Sequence, residues 1–441
     1  MLNKIKNYFG YLYLLIPLFL VTGPAIPDIT ITFGGIFFLL WFFFYERKYD
    51  LIKKNNFFYI TIIFWISLIF ISFFAIDKEK SFQDSLIFIR ILLIPICCYF
   101  VFFSNLRILY YLSLFISILV VLISIDSIFQ FYNYSPKEGF GKDILGFKSN
   151  WYGRLTGPFG KELIPGSYVS KFALIGYVFF LLNNNLRNVF WIQIIYLSSV
   201  LVVTFISGER MAFATYFLGM FVLLILLKEN RRVIFFSIIL GLITIFFIYK
   251  SHPFYNDFKV IESNEYHQGL KIEKNIPCEN DIDKVCTKII NIQPNFIKVI
   301  SNFSSSAYGE IYLLALEMFK DNFITGIGIN NYKLLCETNE YYKIKMVNYE
   351  CASHPHNIYL QWLTEGGLIV FFAFIIYLFT IVKLIISNVG LRKYKIISLV
   401  LILILFWPIM STGSLIKNWY GVSTFFIIGV ALCISKIKED F

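Results

Sequence analysis

Long apolar runs alternate with short polar or basic breaks along most of this chain. They predict helices near 8–23, 29–44, 57–76, 85–103, 108–130, 167–182, 189–207, 211–227, 233–249, 358–382, 396–411 and 420–435, about twelve in all. Runs of this length cross a hydrocarbon core of roughly 30 Å as helices. They do not alternate apolar with polar residues, as a transmembrane β-barrel requires. The first run is apolar throughout and lacks a small-residue cleavage pattern, so it reads as a retained helix and not a signal peptide. The predicted fold class is an all-α, polytopic integral membrane protein with a large outer-side loop between the ninth and tenth helices. The chain then divides into 1–249 with helices one to nine, the loop 250–357, and 358–441 with the last three helices.

Composition agrees: 58% of the 441 residues are hydrophobic, 20% aromatic and 15% charged, and mean hydropathy is +0.70. The net charge of +11 raises the question of nucleic acid, but the basic residues are scattered over short loops, which is how topology is controlled. With the N-terminus in the cytoplasm, Arg47, Lys48, Lys53, Lys54, Arg107, Arg187, Lys228, Arg231, Arg232, Arg392, Lys393 and Lys395 all fall inside. Segment 131–166, with five basic residues outside, is the exception. Both termini are then cytoplasmic and 250–357 lies on the outer side. Cys278, Cys286, Cys336 and Cys351 belong to that loop, where disulfides form, whereas Cys97, Cys98 and Cys433 sit in apolar runs. The sequence-local pairings, 278 with 286 and 336 with 351, close short loops and are favoured over the other two connectivities; unpaired thiols are the alternative.

Candidate chemistry concentrates in "HPHNIYLQWLTEGG", positions 354–367. Pro355 suits a first helical turn, so a helix is expected to start there with His354 or Ser353 as its cap. Asn357, Gln361 and Glu365, spaced four apart, then form a polar stripe running into the bilayer. Intramembrane polar groups point by default into a bundle or cavity with a function. For Asn357 and Gln361 a cap and interhelical hydrogen bonds account for the same residues. His356 has no such packing explanation. The helix macrodipole keeps an imidazole there neutral and able to take a proton, as a general base must.

Two further segments carry arginines. In "TFISGERMAF", 204–213, Arg210 and Glu209 sit in a tight reversal between helices, where a snorkelling arginine paired with its neighbour is the plain reading. In "GRLTGPFGKELIPGS", 153–167, Arg154 and Lys161 stand among glycines and prolines. Arg154, Arg210 and His356 fall on one side of the membrane in the predicted topology. Two guanidiniums that grip phosphate oxygens, with one neutral imidazole, suit displacement of a lipid pyrophosphate by a hydroxyl. "HPH" could begin a zinc site, but the chain has only four histidines and His252 and His267 lack metal-ligand spacing, while "DID" at 281–283 reads as part of a polar hairpin, so no metal is expected. No Walker lysine motif, dinucleotide fingerprint or nucleophile elbow is present.

"SHPHNIYLQWLTEGGLI" resembles the HxHNxxLQxxxExG pattern of the O-antigen ligase and polymerase superfamily. "FISGERMAF", "RLTGPFGKELIPGSY" and "ALEMFKDNFITGIGINNY" resemble three more of its segments, over about 150–380. The resemblance implies a GT-C-like, metal-independent inverting glycosyltransferase, without cofactor, at the periplasmic face of the bacterial inner membrane. It would take a glycan from undecaprenyl pyrophosphate and pass it to an acceptor such as lipid A-core. Arg154 and Arg210 would hold the pyrophosphate and His356 would activate the acceptor hydroxyl, with His354, Asn357, Gln361 and Glu365 lining the substrate site. One departure stands out: where many members carry an arginine ahead of "ALEMF", this chain reads "SAYGEIYLLALEMF", with Tyr308 or Glu310 in its place. The stretch from Tyr308 to Lys320 has helical apolar spacing at Ile311, Leu314, Ala315 and Met318, for which a membrane-surface helix and plain core packing compete.

Among acceptors, a glycan ligase is preferred, with O-antigen polymerase or a ligase acting on protein as alternatives of the same fold. From another class, a lipid-glycan flippase or transporter would also be a polar-lined bundle. It would show paired broken helices or a repeat with polar groups near the midplane.

Overall fold

The computed structural model describes residues 2–44, 55–103, 105–135, 139–183, 189–256, 270–278, 281–291, 301, 303–346 and 350–439, and of 2–7, 256, 270–278, 281–291 and 305 the backbone only. Arg47, Lys48, Lys53, Lys54, Arg187 and His267 lie outside the described residues, as do the side chains of Cys278, Cys286 and Asp281 to Asp283.

The chain is mostly helical, and helix occupies most of each predicted stretch, although Arg392–Leu405 stops short of the expected 411, Asn56–Ser72 short of 76, and the first stretch is divided into Leu2–Leu14 and Ile16–Thr22. Among the described residues six helices are long and apolar enough to cross a membrane: Ala25–Phe44, Lys78–Phe102, Leu106–Tyr132, Pro165–Leu182, Lys228–Ser251 and Ile358–Ser387. Shorter apolar helices are Asn56–Ser72, Phe190–Ile206, Arg210–Leu226 and Asn418–Ile434. Large apolar side chains such as Phe44, Phe247 and Phe379 point outward, an arrangement that lipid satisfies and water does not. The described strands are two short hairpins, one of them Leu270–Cys278 paired antiparallel with Asp281–Asn291. That hairpin matches the reading of the "DID" segment.

The chain forms two compact units, one of residues 1–109 with 297–439 and the other mainly of 110–296. In the first, Asn418–Ile434 is buried along nearly its whole length and packs on Ile89–Ile96 and Arg392–Leu405. Ile358–Ser387 packs on Asn56–Ser72. The Phe64 ring of the latter lies 5.5 to 5.9 Å from Trp362, Phe374 and Tyr377 of the former, centroid to centroid.

Ile358–Ser387 is not one straight rod. Gly367 takes φ 61° and ψ −165°, which breaks the helix and which a residue with a Cβ adopts only under strain. The backbone groups released there are taken by another family-like segment. Ile327 N and Gly328 N donate to Thr364 O and Glu365 O at 3.0 and 2.9 Å, while Leu368 N and Ile369 N donate to Phe323 O and Ile324 O at 3.1 and 3.4 Å. Gly326 (φ 68°) permits this approach, since a Cβ there would lie 2.5 Å from the Glu365 carbonyl oxygen. A broken helix is tolerated at such depth only when its freed groups are satisfied in this way. The 323–331 segment is itself tied down: Ile76 N donates to Ile327 O at 3.1 Å and Ile329 N to Ser81 Oγ at 2.9 Å.

The segment preceding the histidines carries its own small core. Ile311, Leu314, Ala315 and Met318 of Ala307–Asp321 pack with Ile327, Tyr332, Leu335, Cys336 and Tyr342. The apolar stripe is thus buried in protein, which decides between core packing and a membrane-surface helix in favour of the first. A disulfide joins Cys336 to Cys351, with 5.8 Å between their Cα atoms, and closes this core. Cys97, Cys98 and Cys433 are buried thiols.

In the second unit, Pro165–Leu182 is almost wholly buried and packs with Phe190–Ile206 and Arg210–Leu226. Phe190–Ile206 packs in turn on Arg231–Ser251.

Candidate functional site

The histidine turn belongs to the first unit. Its helix begins at Ile358 and not at Pro355, and the cap is Asn357, not His354 or Ser353. The Asn357 side-chain oxygen accepts from Tyr359 N and Leu360 N at 3.0 and 3.1 Å, while its amide nitrogen donates to Pro408 O and Met410 O at 2.8 and 3.3 Å. Asparagine is among the best N-caps, worth about 1 kcal/mol over alanine, and this preference outweighs proline's taste for a first turn. His356 also excludes an earlier start, because its φ is 53°. Few non-glycine residues hold that left-handed conformation, and strain of this kind gathers at functional sites.

What holds His356 there is visible. Its carbonyl oxygen accepts from Thr412 N at 2.7 Å and from the Tyr312 hydroxyl at 3.4 Å. The ring is half-buried and lies 4.1 Å from the His354 ring, tilted by 42°. His354 Nε2 meets Thr412 O at 3.2 Å and Nδ1 meets Ser353 Oγ at 2.8 Å. A carbonyl only accepts, so Nε2 carries the proton and Nδ1 accepts from the serine hydroxyl. Both ring nitrogens of His354 are therefore used inside the chain. Burial first, and then the neighbouring His356, push the His354 imidazole down to about 4. Burial also lowers His356. Burial thus favours the neutral form of both rings; for His356 the sequence pointed to the helix dipole, and burial is the larger cause.

Below the turn, Gln361 Nε2 donates to Glu365 Oε2 at 3.0 Å and to Ser414 Oγ at 2.7 Å. The predicted stripe thus exists for Gln361 and Glu365, which share a face. Glu365 is fully buried, and the backbone N–H groups of Asn330 and Tyr332 also face its carboxylate.

The arginines belong to the second unit. Arg210 is the exposed first residue of Arg210–Leu226. Arg154 is half-buried; its Nη2 donates to Leu163 O at 2.8 Å, and its Nε is buried with no hydrogen-bond partner. Its loop is held by the next turn, with Leu155 N donating to Ser207 O at 3.2 Å. The Gln130 side-chain oxygen accepts from Thr156 N and Gly157 N at 3.0 and 2.9 Å.

Glu209, for which a surface pairing with Arg210 was one alternative, points into the protein. It is buried, and its carboxylate caps Pro165–Leu182 by accepting from Gly166 N and Ser167 N at 2.7 and 3.1 Å and from the Ser167 hydroxyl. Arg154 and Lys171 interact electrostatically with the same carboxylate. Burial raises Glu209 above the usual carboxylate range, and Arg154 with the helix-end donors opposes it. Lys171, buried within an apolar helix, is a residue sequence reasoning passed over. The sign was present, because a lysine inside an apolar run is a functional candidate by default. His252 stacks on Phe131 at 4.1 Å within an aromatic group. Among the described residues no three His, Cys, Asp or Glu side chains form a metal-holding group.

Residues 194–375 match the family described as O-Antigen ligase. The match encloses Arg210, His354, His356, Asn357, Gln361 and Glu365, and Arg154 lies before it. No curated protein matches the chain.

Proposed function

From this chain's place in the O-antigen ligase superfamily, we propose that it transfers a glycan from undecaprenyl pyrophosphate to an acceptor hydroxyl, foremost of lipid A-core, at the periplasmic face of the inner membrane. All twelve helices cross the bilayer in this reading, in a GT-C-like fold with both termini cytoplasmic. The three segments 1–249, 250–357 and 358–441 then describe its topology.

The observation that carries the chemistry is His356: a half-buried imidazole, lowered by burial, on a left-handed residue whose carbonyl is pinned by Thr412. Strain held in place by neighbours is the mark of a preorganised group. In the proposed step the acceptor oxygen attacks the anomeric carbon and passes its proton to His356. The bond from that carbon to the pyrophosphate oxygen breaks, and its electron pair leaves with undecaprenyl pyrophosphate. Attack opposite the leaving group inverts the anomeric centre.

Arg154 and Arg210 are assigned to the departing charge, which their guanidiniums meet in the planar geometry phosphate oxygens require. The unpartnered Nε of Arg154 supports this assignment. No divalent ion enters the step, so a chelator should leave the rate unchanged. Asn357 and His354, whose polar atoms are already used, position the turn, while Gln361 and Glu365 line it. A transporter reading gains nothing from the break at Gly367, because residues 323–328 take up the freed backbone groups.

The lipopolysaccharide of a strain lacking the gene tests the proposal. Loss of all capped species, with polymer accumulating on the lipid carrier, is the result expected of a ligase. Caps of a single repeat would transfer the chain to the polymerases. Unchanged banding would overturn both.

A further inference from the structure

Two tyrosines one turn apart, Tyr308 and Tyr312, share a face of Ala307–Asp321. Tyr312 is employed internally: its hydroxyl donates to His356 O at 3.4 Å and its ring packs on Phe303 at 5.7 Å. Tyr308 is not part of the buried stripe. It is 41% exposed and stands almost perpendicular to the His356 ring, 5.8 Å away centroid to centroid. Its place is fixed by rigid surroundings. Ser306 Oγ accepts from Gly309 N at 3.1 Å and so caps the helix, and the opposite face belongs to the core closed by the Cys336–Cys351 disulfide. An aromatic ring is thus presented, half open, beside the imidazole.

A pyranose offers a face of weakly positive C–H groups, and an aromatic ring offers a negative π face, so the two stack without hydrogen bonds. We propose that Tyr308 is the surface against which the sugar bearing the acceptor hydroxyl lies, so that this hydroxyl meets His356. The inference rests on His356 as the base, and it names the acceptor class. That class is a sugar, as opposed to a serine or threonine side chain, which has no ring to stack.

The ring and not the hydroxyl carries the interaction, and this separates the variants. The test uses the full detergent-solubilised chain and core oligosaccharide prepared from the same bacterium and freed of lipid A, with a serine-rich peptide as the competing acceptor. Saturation-transfer NMR should show contact to sugar C–H protons, and calorimetry should give the dissociation constant. Tyr308→Phe and Tyr308→Trp should bind within about twofold of wild type, while Tyr308→Leu should bind roughly threefold to tenfold more weakly. The unfolding midpoint of Tyr308→Leu should be unchanged, since the ring supports no core. Wild-type affinity in Tyr308→Leu, an equal loss in Tyr308→Phe, or preference for the peptide would overturn the inference. Sugar binding is measured without turnover, so it stands apart from the base assignment. Normal transfer by a His356→Ala protein that still shows Tyr308-dependent binding would sink the proposed mechanism and leave the sugar surface in place.

Discussion

The histidine turn of the first unit and the arginine loop of the second are both short irregular segments leading into helices, yet different forces hold them. Around His356 the work is done by neutral hydrogen bonds: Asn357 uses all its polar atoms, and Thr412 fastens both histidines through its backbone. Around Arg154 a buried carboxylate, Glu209, joins a helix N-terminus and interacts with two cations. A base needs a fixed direction and no charge of its own until it takes a proton. A site for pyrophosphate needs positive charge held in place.

The comparison breaks first at His356. His356→Ala should lower transfer from lipid-linked donor by roughly a hundredfold to ten-thousandfold. Folding should survive, because the cap and the Thr412 amide do not depend on the ring. Transfer near the wild-type rate by the purified variant would remove the base from the scheme.

Arg210→Lys comes next. A snorkelling residue needs only a long stem and a positive head, whereas a pyrophosphate clamp needs two parallel N–H groups. Losing that geometry should cost about 2 to 4 kcal/mol of transition-state stabilisation, or roughly thirtyfold to a thousandfold in rate. A rate within about threefold of wild type at matched protein levels would leave Arg154 as the clamp alone.

Glu209→Gln probes the glue. Glutamine can still accept from Gly166 N, but its amide nitrogen would then face Ser167 N, donor against donor. The expected loss is about 1 to 3 kcal/mol of stability, read as a lower unfolding midpoint. An unchanged midpoint would mean the loop is held by the Gln130 and Ser207 contacts instead.

How much of this was legible in the sequence follows from how far each interaction reaches. Apolar runs declare helices locally, and helices stand at every predicted stretch. The cap is local too, since Asn357 sits two residues after Pro355 and an asparagine N-cap outweighs a proline at the first turn. Glu209 was misplaced because its partners Gly166 and Ser167 lie 43 and 42 residues away. The break at Gly367 is hidden for the same reason: the turn segment that completes it, 323–328, precedes it by some forty residues, and a pair of glycines in an apolar run does not reveal its partner. The stripe from Ile311 to Met318 was undecided because helical spacing is identical whether lipid or protein covers it. The Cys336–Cys351 pairing was readable because fifteen residues close easily.

The dependence on pH is the most discriminating, because the two regions should answer it with opposite signs. His354 is held at about 4 by burial and by His356, against about 6.5 in an unfolded chain. Between those values the unfolded chain binds a proton the folded one refuses, so stability rises with pH there. The contribution is complete above about 6.5 and is lost as pH falls to about 4. Glu209 behaves inversely. Burial raises it, so the folded chain holds the extra proton, and its contribution, complete below the ordinary glutamate value, is lost as pH rises through the folded value. Unfolding midpoints of wild type, His354→Gln and Glu209→Gln across pH 4 to 8 separate the two. The gap between wild type and His354→Gln should shift in favour of wild type as pH rises from about 4 to 6.5, by about 3 kcal/mol at most. The gap to Glu209→Gln should shift the other way at higher pH. If both gaps move in the same direction, the neutral turn and the charged loop are not held by different forces.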